Sequence, residues 1–301
     1  MSYTFAKLPR AGLGNMLFVW ARAEVFAYLN QIPVFTSSWT QPRLGPTLRR
    51  EKGKRIYWRY FRKTSSLHRW HQWWSLASFT HVFEPTVEVL SPEENDKKNL
   101  YIFSRIPHWS DYFSDIRAHR DYVRNRLWEI LVSPYQRMIN DSPIPLIAIH
   151  VRRGDFRELQ PGENFAKVGL VRTPLAYFSE LIDSIRELHG TSLPATIFSD
   201  GSAQELQELL QKPNVALASS GPDIVDLFLL SKSKLLITSA GSTFSFWAAF
   251  LSDAPVLLHP DHIHGAIRPK SGSTVSFEGG VRGPSELWPV QLKENIQSIL
   301  K

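Results

Sequence analysis

One stretch in the middle of the chain decides the fold: LIAIHVRRGD, residues 146–155. Its first six residues, Leu146–Val151, form the kind of apolar run that is typical of a strand at the buried centre of a parallel sheet. The charged residues come at the carboxyl end of that strand, which is where open α/β sheets place their ligands. The stretch therefore predicts an α/β protein with a binding site just after this strand.

Strand and helix patterns alternate on both sides of this stretch. The second half predicts helices over 174–188, 202–210, 223–230 and 244–251, and strands over 195–198, 235–238 and 256–258. The first half predicts strands over 3–8, 32–36 and 100–104, and helices over 16–29 and 115–131. Such an alternation predicts doubly wound parallel sheets. The turn Asn140–Pro143 interrupts both periods, so we expect two Rossmann-like domains, 1–143 and 144–301.

The composition excludes several classes of protein. The 301 residues are 43% hydrophobic and 21% charged, which is normal for packed domains and not for disordered or collagen-like chains. There is no cysteine, so disulfide scaffolds, thiolate metal sites and thiol catalysis are excluded. No apolar run approaches the ~20 residues that span a bilayer, and Met1–Arg10 does not read as a secretory signal. We therefore expect a soluble, cytoplasmic protein.

The net charge of +7 is concentrated in one segment. Residues 41–74 contain ten basic residues and one acid, Glu51, a net charge of +9, so the rest of the chain carries −2. The segment about 41–76 is also rich in tryptophan. Two interpretations stay open: a surface that binds an anionic membrane or RNA, and a helix packed on its own domain with a solvated basic face.

The strongest chemical signal is Arg152-Arg153-Gly154-Asp155 after the central strand. Arginine suits phosphate because its planar donors bind two oxygens at once and it stays charged. Asp155 can orient one guanidinium or accept from a sugar hydroxyl. The alternative interpretation is an ion-pair loop on the surface.

Three weaker signals share the same kind of position, directly after a predicted strand. Gly12-Leu13-Gly14-Asn15 opens the first helix, although it is neither a dinucleotide fingerprint nor a Walker loop. Ser242 and Thr243 precede a helix that they can cap, leaving amides to hold a phosphate. Asp200 follows the predicted strand 195–198, and the alternative interpretation is that it caps the next helix.

No Asp-x-Asp and no Gly-x-Ser-x-Gly occurs in the sequence, and the histidines of 259–264 favour an exposed loop over a metal site.

These segments together resemble the α-1,2-fucosyltransferase family of glycosyltransferases. The family's G-G-L-G-N-Q turn is similar to AGLGNM at 11–16, its H-x-R-R-G-D string matches 150–155 in full, and its S-D-D string is similar to 199–201. Its closing block resembles Asp226-Leu227, with Ser231, and STFSFWAA at 242–249. The agreement runs from about Tyr3 to Pro260. The chain departs from the family at Ala11, Met16, Gly201 and Phe246, which replace Gly, Gln, Asp and Trp.

The resemblance implies a GT-B-like architecture of two facing Rossmann-like domains. The second would bind a GDP-sugar and the first, carrying the basic insertion, would meet the acceptor. It implies inverting transfer of L-fucose from GDP-fucose to a hydroxyl of an oligosaccharide or lipid-linked glycan, α-1,2-linked, without a metal or other cofactor. Two alternatives stay open: another GDP-sugar, and a non-catalytic protein that binds an anionic surface or RNA through 41–76. The enzyme interpretation expects no nucleic acid and allows peripheral contact with the inner face of a membrane.

The resemblance also implies roles for single residues. Catalysis is assigned to Arg153, Asp155 and Arg152, with Asp155 as the candidate base and Glu158 and Glu163 as its rivals. Donor binding is assigned to His150, Arg152, Arg153, Asp200, Ser242, Thr243 and Phe244. Gly14 and Asn15 are assigned to the acceptor side of the cleft, and no residue is assigned to a metal.

Overall fold

The structure is a computed structural model, and it describes residues 1–39, 57–62, 69–95, 97–219, 221–263, 265–270 and 276–299. The predicted α/β class is confirmed, since every pairing within its two sheets is parallel. The described residues divide into two units, each built on one sheet.

The first unit takes in residues 1–39, 57–62, 69–95 and 97–136, with a short return at 265–269. Its sheet has the order β2-β1-β4-β3. The strands are β1 (Tyr3–Ala6), β2 (Val34–Thr36), β3 (Thr80–Phe83) and β4 (Asn99–Phe103). The helices are α1 (Leu13–Asn30), α2 (Arg69–Ser78), α3 (Pro92–Asn95), α4 (Arg120–Ile130) and α5 (Ser133–Asp141), the last of which continues into the second unit.

Helix α1 is the central helix of this unit. It begins after Gly12, whose backbone is extended, and it is capped at its carboxyl end by Gln31 in the left-handed conformation. Most of its side chains are buried, including Trp20 and Phe26, because it packs on both β1 and β4. The carboxyl ends of the four strands and the start of α1 therefore lie at the same edge of the sheet.

The second unit takes in residues 137–219, 221–263, 270 and 276–299. Its strands are β5 (Ile147–Val151), β6 (Ala195–Ser199), β7 (Val215–Leu217), β8 (Leu235–Ile237), β9 (Val256–Leu257) and β10 (Glu278–Gly279). Its helices are α6 (Leu175–His189), α7 (Gln207–Leu210), α8 (Asp223–Lys232), α9 (Thr243–Leu251) and α10 (Val290–Gln297).

The strand order of the second sheet places its binding crevice. The order β10-β9-β8-β5-β6-β7 is that of a Rossmann sheet, in which the chain moves outward from β5 to β7 and then crosses back to β8. The direction reverses between β5 and β8, and ligands of such sheets bind outside the carboxyl ends of these two strands. All five residues of β5 are buried, as the apolar run predicts for a central strand.

The structure differs from the sequence prediction at the domain boundary. The units divide at Gln136/Arg137, inside α5, and this helix continues to Asp141, within the turn predicted at 140–143. Residues 265–269 belong with the first unit, where Gly265 N donates to Ser110 O at 2.7 Å. The assignment of donor and acceptor roles to the two domains stays a prediction. Most of the basic segment 41–76 lies outside the described residues.

Candidate active site

The predicted donor-site residues of the second unit meet at the carboxyl edge of its sheet. His150 is the penultimate residue of β5. Arg152 and Arg153 follow that strand, and Asp200 follows β6. Ser239 follows β8, on the other side of β5. The site is therefore assembled from three adjacent strands at the point where the strand order reverses.

Asp200 holds both arginines in place. Its Oδ1 accepts from the backbone N of Arg153 at 2.8 Å, and its Oδ2 lies 2.6 Å from Nη1 of Arg152. Gly154 is required here, because a Cβ at this position would overlap the Asp200 carboxylate. Asp200 is thus not the cap of the next helix. Ser202 and Glu205 bond reciprocally in the turn that precedes the next helix, and that helix itself has no side-chain cap among the described residues.

Arg152 is neutralised by two carboxylates. Besides Asp200 it contacts Asp155, with 2.6 Å between Nη2 and Oδ1, and its guanidinium lies 5.8 Å from the centre of the Phe156 ring. About a quarter of its side chain remains exposed. Its contacts match the predicted ion-pair loop, but they leave the guanidinium at the mouth of the crevice, where an anion can replace one carboxylate.

Arg153 is buried and has no carboxylate partner among the residues that the structure describes. Only 6% of the residue is exposed, and its Nε is fully buried without a hydrogen-bond acceptor. Burial and the neighbouring Arg172 lower the pKa of the guanidinium. Glu158, Glu205 and Glu208 partly offset this effect, but no described carboxylate pairs directly with the guanidinium. A buried cation without a direct ion pair is costly, and an anion can complete such a site. Gly201 makes room for this side chain, because a Cβ there would lie 2.8 Å from Cγ of Arg153.

His150 is a neutral, buried part of the site wall. Its Nδ1 lies 2.6 Å from Oγ of Ser245, and its ring centre is 5.1 Å from that of Phe244. Burial lowers the pKa of the imidazole to about 4, so it is uncharged at neutral pH. Ser239 donates to the carbonyl of His150 at 2.7 Å and accepts from N of Arg152 at 2.8 Å. These hydroxyls fix the end of β5.

The start of α9 supplies polar groups from the other side of the crevice. Ser242 caps the helix by accepting from N of Ser245, and Thr243 is the first helical residue. Helix N-termini carry a partial positive charge and favour anions. The hydroxyl of Thr173, which lies just before α6, accepts from N of Ala240 at 3.0 Å.

The sequence matches a known protein family. The model of the family described as "Glycosyl transferase family 11" matches residues 18–257, most of the chain. The chain belongs to this family. The family identified by its motifs is thereby confirmed, and residues 150–155 and 242–249 both lie within the match.

Curated relatives of the family 11 chain are distant. It is 24% identical over 271 residues to a galactoside alpha-(1,2)-fucosyltransferase 1 from Lagothrix lagotricha, and 23% identical over 272 residues to that of Homo sapiens. Each match covers 84% of this chain and 66% of the relative. Another, from Ateles belzebuth, is 28% identical over 144 residues, 46% of this chain and 37% of the relative. The chain thus spans at most about two thirds of these relatives.

Solved structures that match the fold of the family 11 chain are also distant. Fucosyltransferase NodZ from Bradyrhizobium has a TM-score of 0.48 and 14% identity, over 83% of this chain and 93% of that one. POFUT1 in complex with GDP has a TM-score of 0.48 and 13% identity, over 85% of this chain and 97% of that one.

Glu158 and Glu163, the rivals of Asp155 as candidate base, are held in ion pairs. Glu163 makes a bidentate pair with Arg157, at 2.6 and 2.7 Å. This contact lowers the pKa of Glu163 to about 2, so the group is a weak proton acceptor. Glu158 pairs with Arg172 at 2.7 Å. Asp155 is itself paired with Arg152 at 2.6 Å, so ion pairing does not distinguish the three carboxylates. The assignment of Asp155 to orientation or base chemistry stays a prediction.

One acidic residue towards the same edge of the sheet has no role in the sequence prediction. Asp226 lies in the first turn of α8, and α8 follows β7, so the residue lies towards the same carboxyl edge of the sheet. Burial, with a smaller effect of Asp223, raises the pKa of its carboxyl to about 7. Asp226 was singled out in the sequence only as part of a family motif; its unusual pKa depends on tertiary burial.

Gly14 and Asn15 belong to the first turn of α1 in the first unit. Gly14 is buried, and Oδ1 of Asn15 is buried without a hydrogen-bond partner. A buried amide oxygen in that state lacks a hydrogen-bond donor, which the described residues do not supply. Their assignment to the acceptor side stays a prediction.

Three further expectations remain open. Within the described ranges, no group of three or more His, Asp or Glu side chains is arranged to hold a metal ion. Transfer without a metal stays a prediction. Of the helices that the structure describes, none combines the length and apolarity needed to cross a bilayer. The membrane or RNA contact predicted for 41–76 falls largely on residues outside those described.

Proposed function

We propose that the protein transfers L-fucose from GDP-fucose to a hydroxyl group of a glycan acceptor, with inversion and in an α-1,2 linkage. Membership of glycosyl transferase family 11 supports the reaction class. The linkage is supported by relatives that are named galactoside alpha-(1,2)-fucosyltransferases. The alternative donor is a different GDP-sugar.

The observation that carries the proposal is the unpaired guanidinium of Arg153. It lies at the carboxyl end of the central strand, at the reversal point of a Rossmann sheet, with no carboxylate partner among the described residues. A pyrophosphate supplies the missing negative charge in this position. When the sugar–phosphate bond breaks, charge grows on the departing GDP, and a buried cation stabilises it strongly because little water screens the interaction.

Arg152 and the start of α9 share the same task. The guanidinium of Arg152 already holds two carboxylates, so a phosphate oxygen can displace Asp155 while Asp200 keeps the side chain in place. The amides at the start of α9 add donors for the second phosphate. In this proposal Asp155 then orients or deprotonates the acceptor hydroxyl. Asp200 is a positioning residue, because it acts through the two arginines.

We infer that Asp226 binds the base of the nucleotide. A partly buried carboxylate is stabilised by two neighbouring N–H donors, and guanine presents such a pair on one edge. Uracil and adenine do not present that pair of donors. The arrangement favours GDP-sugars over UDP- and ADP-sugars.

The proposed reaction needs no metal, because two arginines and a helix N-terminus neutralise the leaving group. We therefore expect transfer to continue when EDTA is present throughout purification and assay. Full loss of activity in EDTA, with recovery on adding Mg²⁺ or Mn²⁺, would contradict this part of the proposal.

A panel of nucleotide sugars tests the donor assignment. GDP-fucose is expected to raise the melting temperature and to be hydrolysed slowly without acceptor, since a ligand at 100 times its Kd adds about 2.7 kcal/mol of stability. GDP-mannose should bind without efficient transfer, and UDP-sugars should do neither. Equal stabilisation by UDP- and GDP-sugars would refute the proposed base recognition, and efficient transfer from GDP-mannose would favour the alternative donor.

A further inference from the structure

A loop at the carboxyl edge of the first unit's sheet presents an exposed tryptophan. β4 ends at Phe103, and the loop that follows carries Trp109, whose side chain is 57% exposed. The ring of His108 lies beside the indole, with 5.2 Å between the ring centres and 37° between their planes. Ile106, in the same loop, is 37% exposed. Large apolar side chains that remain in water at a sheet edge of this kind are candidates for ligand contact.

The start of this loop is fixed by a cluster of charged groups. Glu84 Oε1 accepts from the backbone N of Ser104 at 2.6 Å and of Arg105 at 2.8 Å, and from the Ser104 hydroxyl at 2.9 Å. Arg22 reaches Glu84 at 2.9 Å and Asp115 at 2.7 Å, and it donates to the carbonyl of Arg105 at 3.2 Å. The side chains of Arg22 and Glu84 are only 11% and 14% exposed, so water screens these contacts weakly.

Glu84 also has a strained backbone. Its φ is +50°, in the left-handed region that residues other than glycine seldom adopt. Strain of this kind persists where surrounding contacts hold the residue, often at binding sites. Here the strained residue directs its carboxylate at the loop that carries Trp109. The start of the loop is therefore fixed before any ligand arrives, which reduces the entropy that the loop loses on binding.

His108 adds a polar donor next to the indole. Its Nδ1 accepts from the backbone N of Ser110 at 3.3 Å and contacts the Ser110 hydroxyl at 2.8 Å. In the neutral ring the hydrogen is then on Nε2, which can donate to a ligand. An aromatic face beside a hydrogen-bond donor matches a pyranose ring, which has an apolar C–H face and a rim of hydroxyls.

We propose that Trp109 and His108 form the acceptor subsite, with one pyranose ring of the glycan acceptor stacked on the indole of Trp109. This inference rests on the proposed glycosyl transfer, and it supplies a residue that selects the acceptor. Glu84 is a positioning residue in this subsite, because it acts through the loop.

Steady-state kinetics with GDP-fucose and lactose test the subsite. Trp109→Ala is expected to raise KM for lactose about tenfold, equivalent to about 1.4 kcal/mol, while KM for GDP-fucose and donor hydrolysis without acceptor stay within about twofold. Trp109→Phe should recover part of the loss, and Glu84→Gln should raise KM for lactose with a small change in kcat. The matched control is Tyr28→Ala, which removes another exposed aromatic ring, 55% exposed, near the other end of α1.

Saturation-transfer NMR with methyl β-galactopyranoside measures the same contact without any reaction. The proposal expects a signal from the C–H face of the sugar in the wild type and in Tyr28→Ala, and its loss in Trp109→Ala. An unchanged KM and an unchanged NMR signal in Trp109→Ala would overturn the proposal. If GDP-fucose is not a donor but the signal depends on Trp109, then the donor assignment fails and the sugar subsite stands.

Discussion

Replacing the partly buried carboxyl group of Asp226 is predicted to raise the stability of the protein and to weaken its binding of GDP. In the folded protein, burial raises the pKa of this group from 3.8 to about 7. The folded state therefore binds the proton more tightly than the unfolded state, and ionisation costs stability. The penalty is absent below about pH 3.8, grows as the pH rises, and is fully present above about pH 7.

The size of the effect follows from this difference in pKa. At 1.36 kcal/mol for each pKa unit, the difference between the two pKa values corresponds to a free energy of about 4 kcal/mol. Between pH 5 and pH 8 the penalty grows by about 2.7 kcal/mol. Asp226→Asn removes the charge and keeps the shape, so its stability relative to the wild type should rise by about this amount over that range. For a unit of this size, each kcal/mol corresponds to about 2–4 °C in the melting temperature.

Thermal unfolding at pH 5 and at pH 8 measures the effect, with Asp183→Asn as the control because Asp183 is paired with Lys212 on the surface. The difference in melting temperature between Asp226→Asn and the wild type should be larger at pH 8. The same variant should bind GDP more weakly, and the GDP affinity of the wild type should fall as the pH drops below 7. A melting-temperature difference that is equal at both pH values would refute the assigned pKa, and unchanged GDP binding would refute the assigned role.

Three further substitutions test the site. Glu163→Gln should leave kcat and its pH profile unchanged, because the pKa of Glu163 is about 2 and its ion pair is exposed; a large loss of kcat would make Glu163 the base. Gly154→Ala should lower kcat/KM by about tenfold or more, because the new methyl group displaces Asp200, and an active variant would contradict the clamp. Ser245→Ala should cost about 1–3 kcal/mol in chemical denaturation, since it leaves Nδ1 of His150 buried and unpaired. An unchanged unfolding midpoint would mean that this hydrogen bond contributes nothing.

The sequence predicted the fold class and the site motif because both depend on local patterns. The buried strand β5 is visible as an apolar run, and the residues after it fall at a ligand-binding edge in any sheet of this class. The short strands β3, β7 and β10 were not predicted. They have two to four residues each and lie at or near the sheet edges, so their sequences carry little periodicity.

The state of each charged group could not be predicted, because it depends on contacts between distant residues. Asp200 was expected to be a donor-site residue or a helix cap, and the structure shows it clamping two arginines 47 and 48 positions away in the chain. Nothing in the string Arg152-Arg153 tells which guanidinium is paired. The pKa of Asp226 depends likewise on the burial of α8, which no local pattern shows.

The most direct test of the central claim is the affinity of Arg153→Ala for GDP and for guanosine, measured by calorimetry. The account predicts a loss of about 10- to 100-fold for GDP, because a charged contact to phosphate contributes about 1.5–3 kcal/mol, and no change for guanosine. Arg282→Ala, which removes an exposed arginine paired with Asp261 in the same unit, should bind both as the wild type does. An Arg153→Ala variant that binds GDP within about twofold of the wild type would contradict the account.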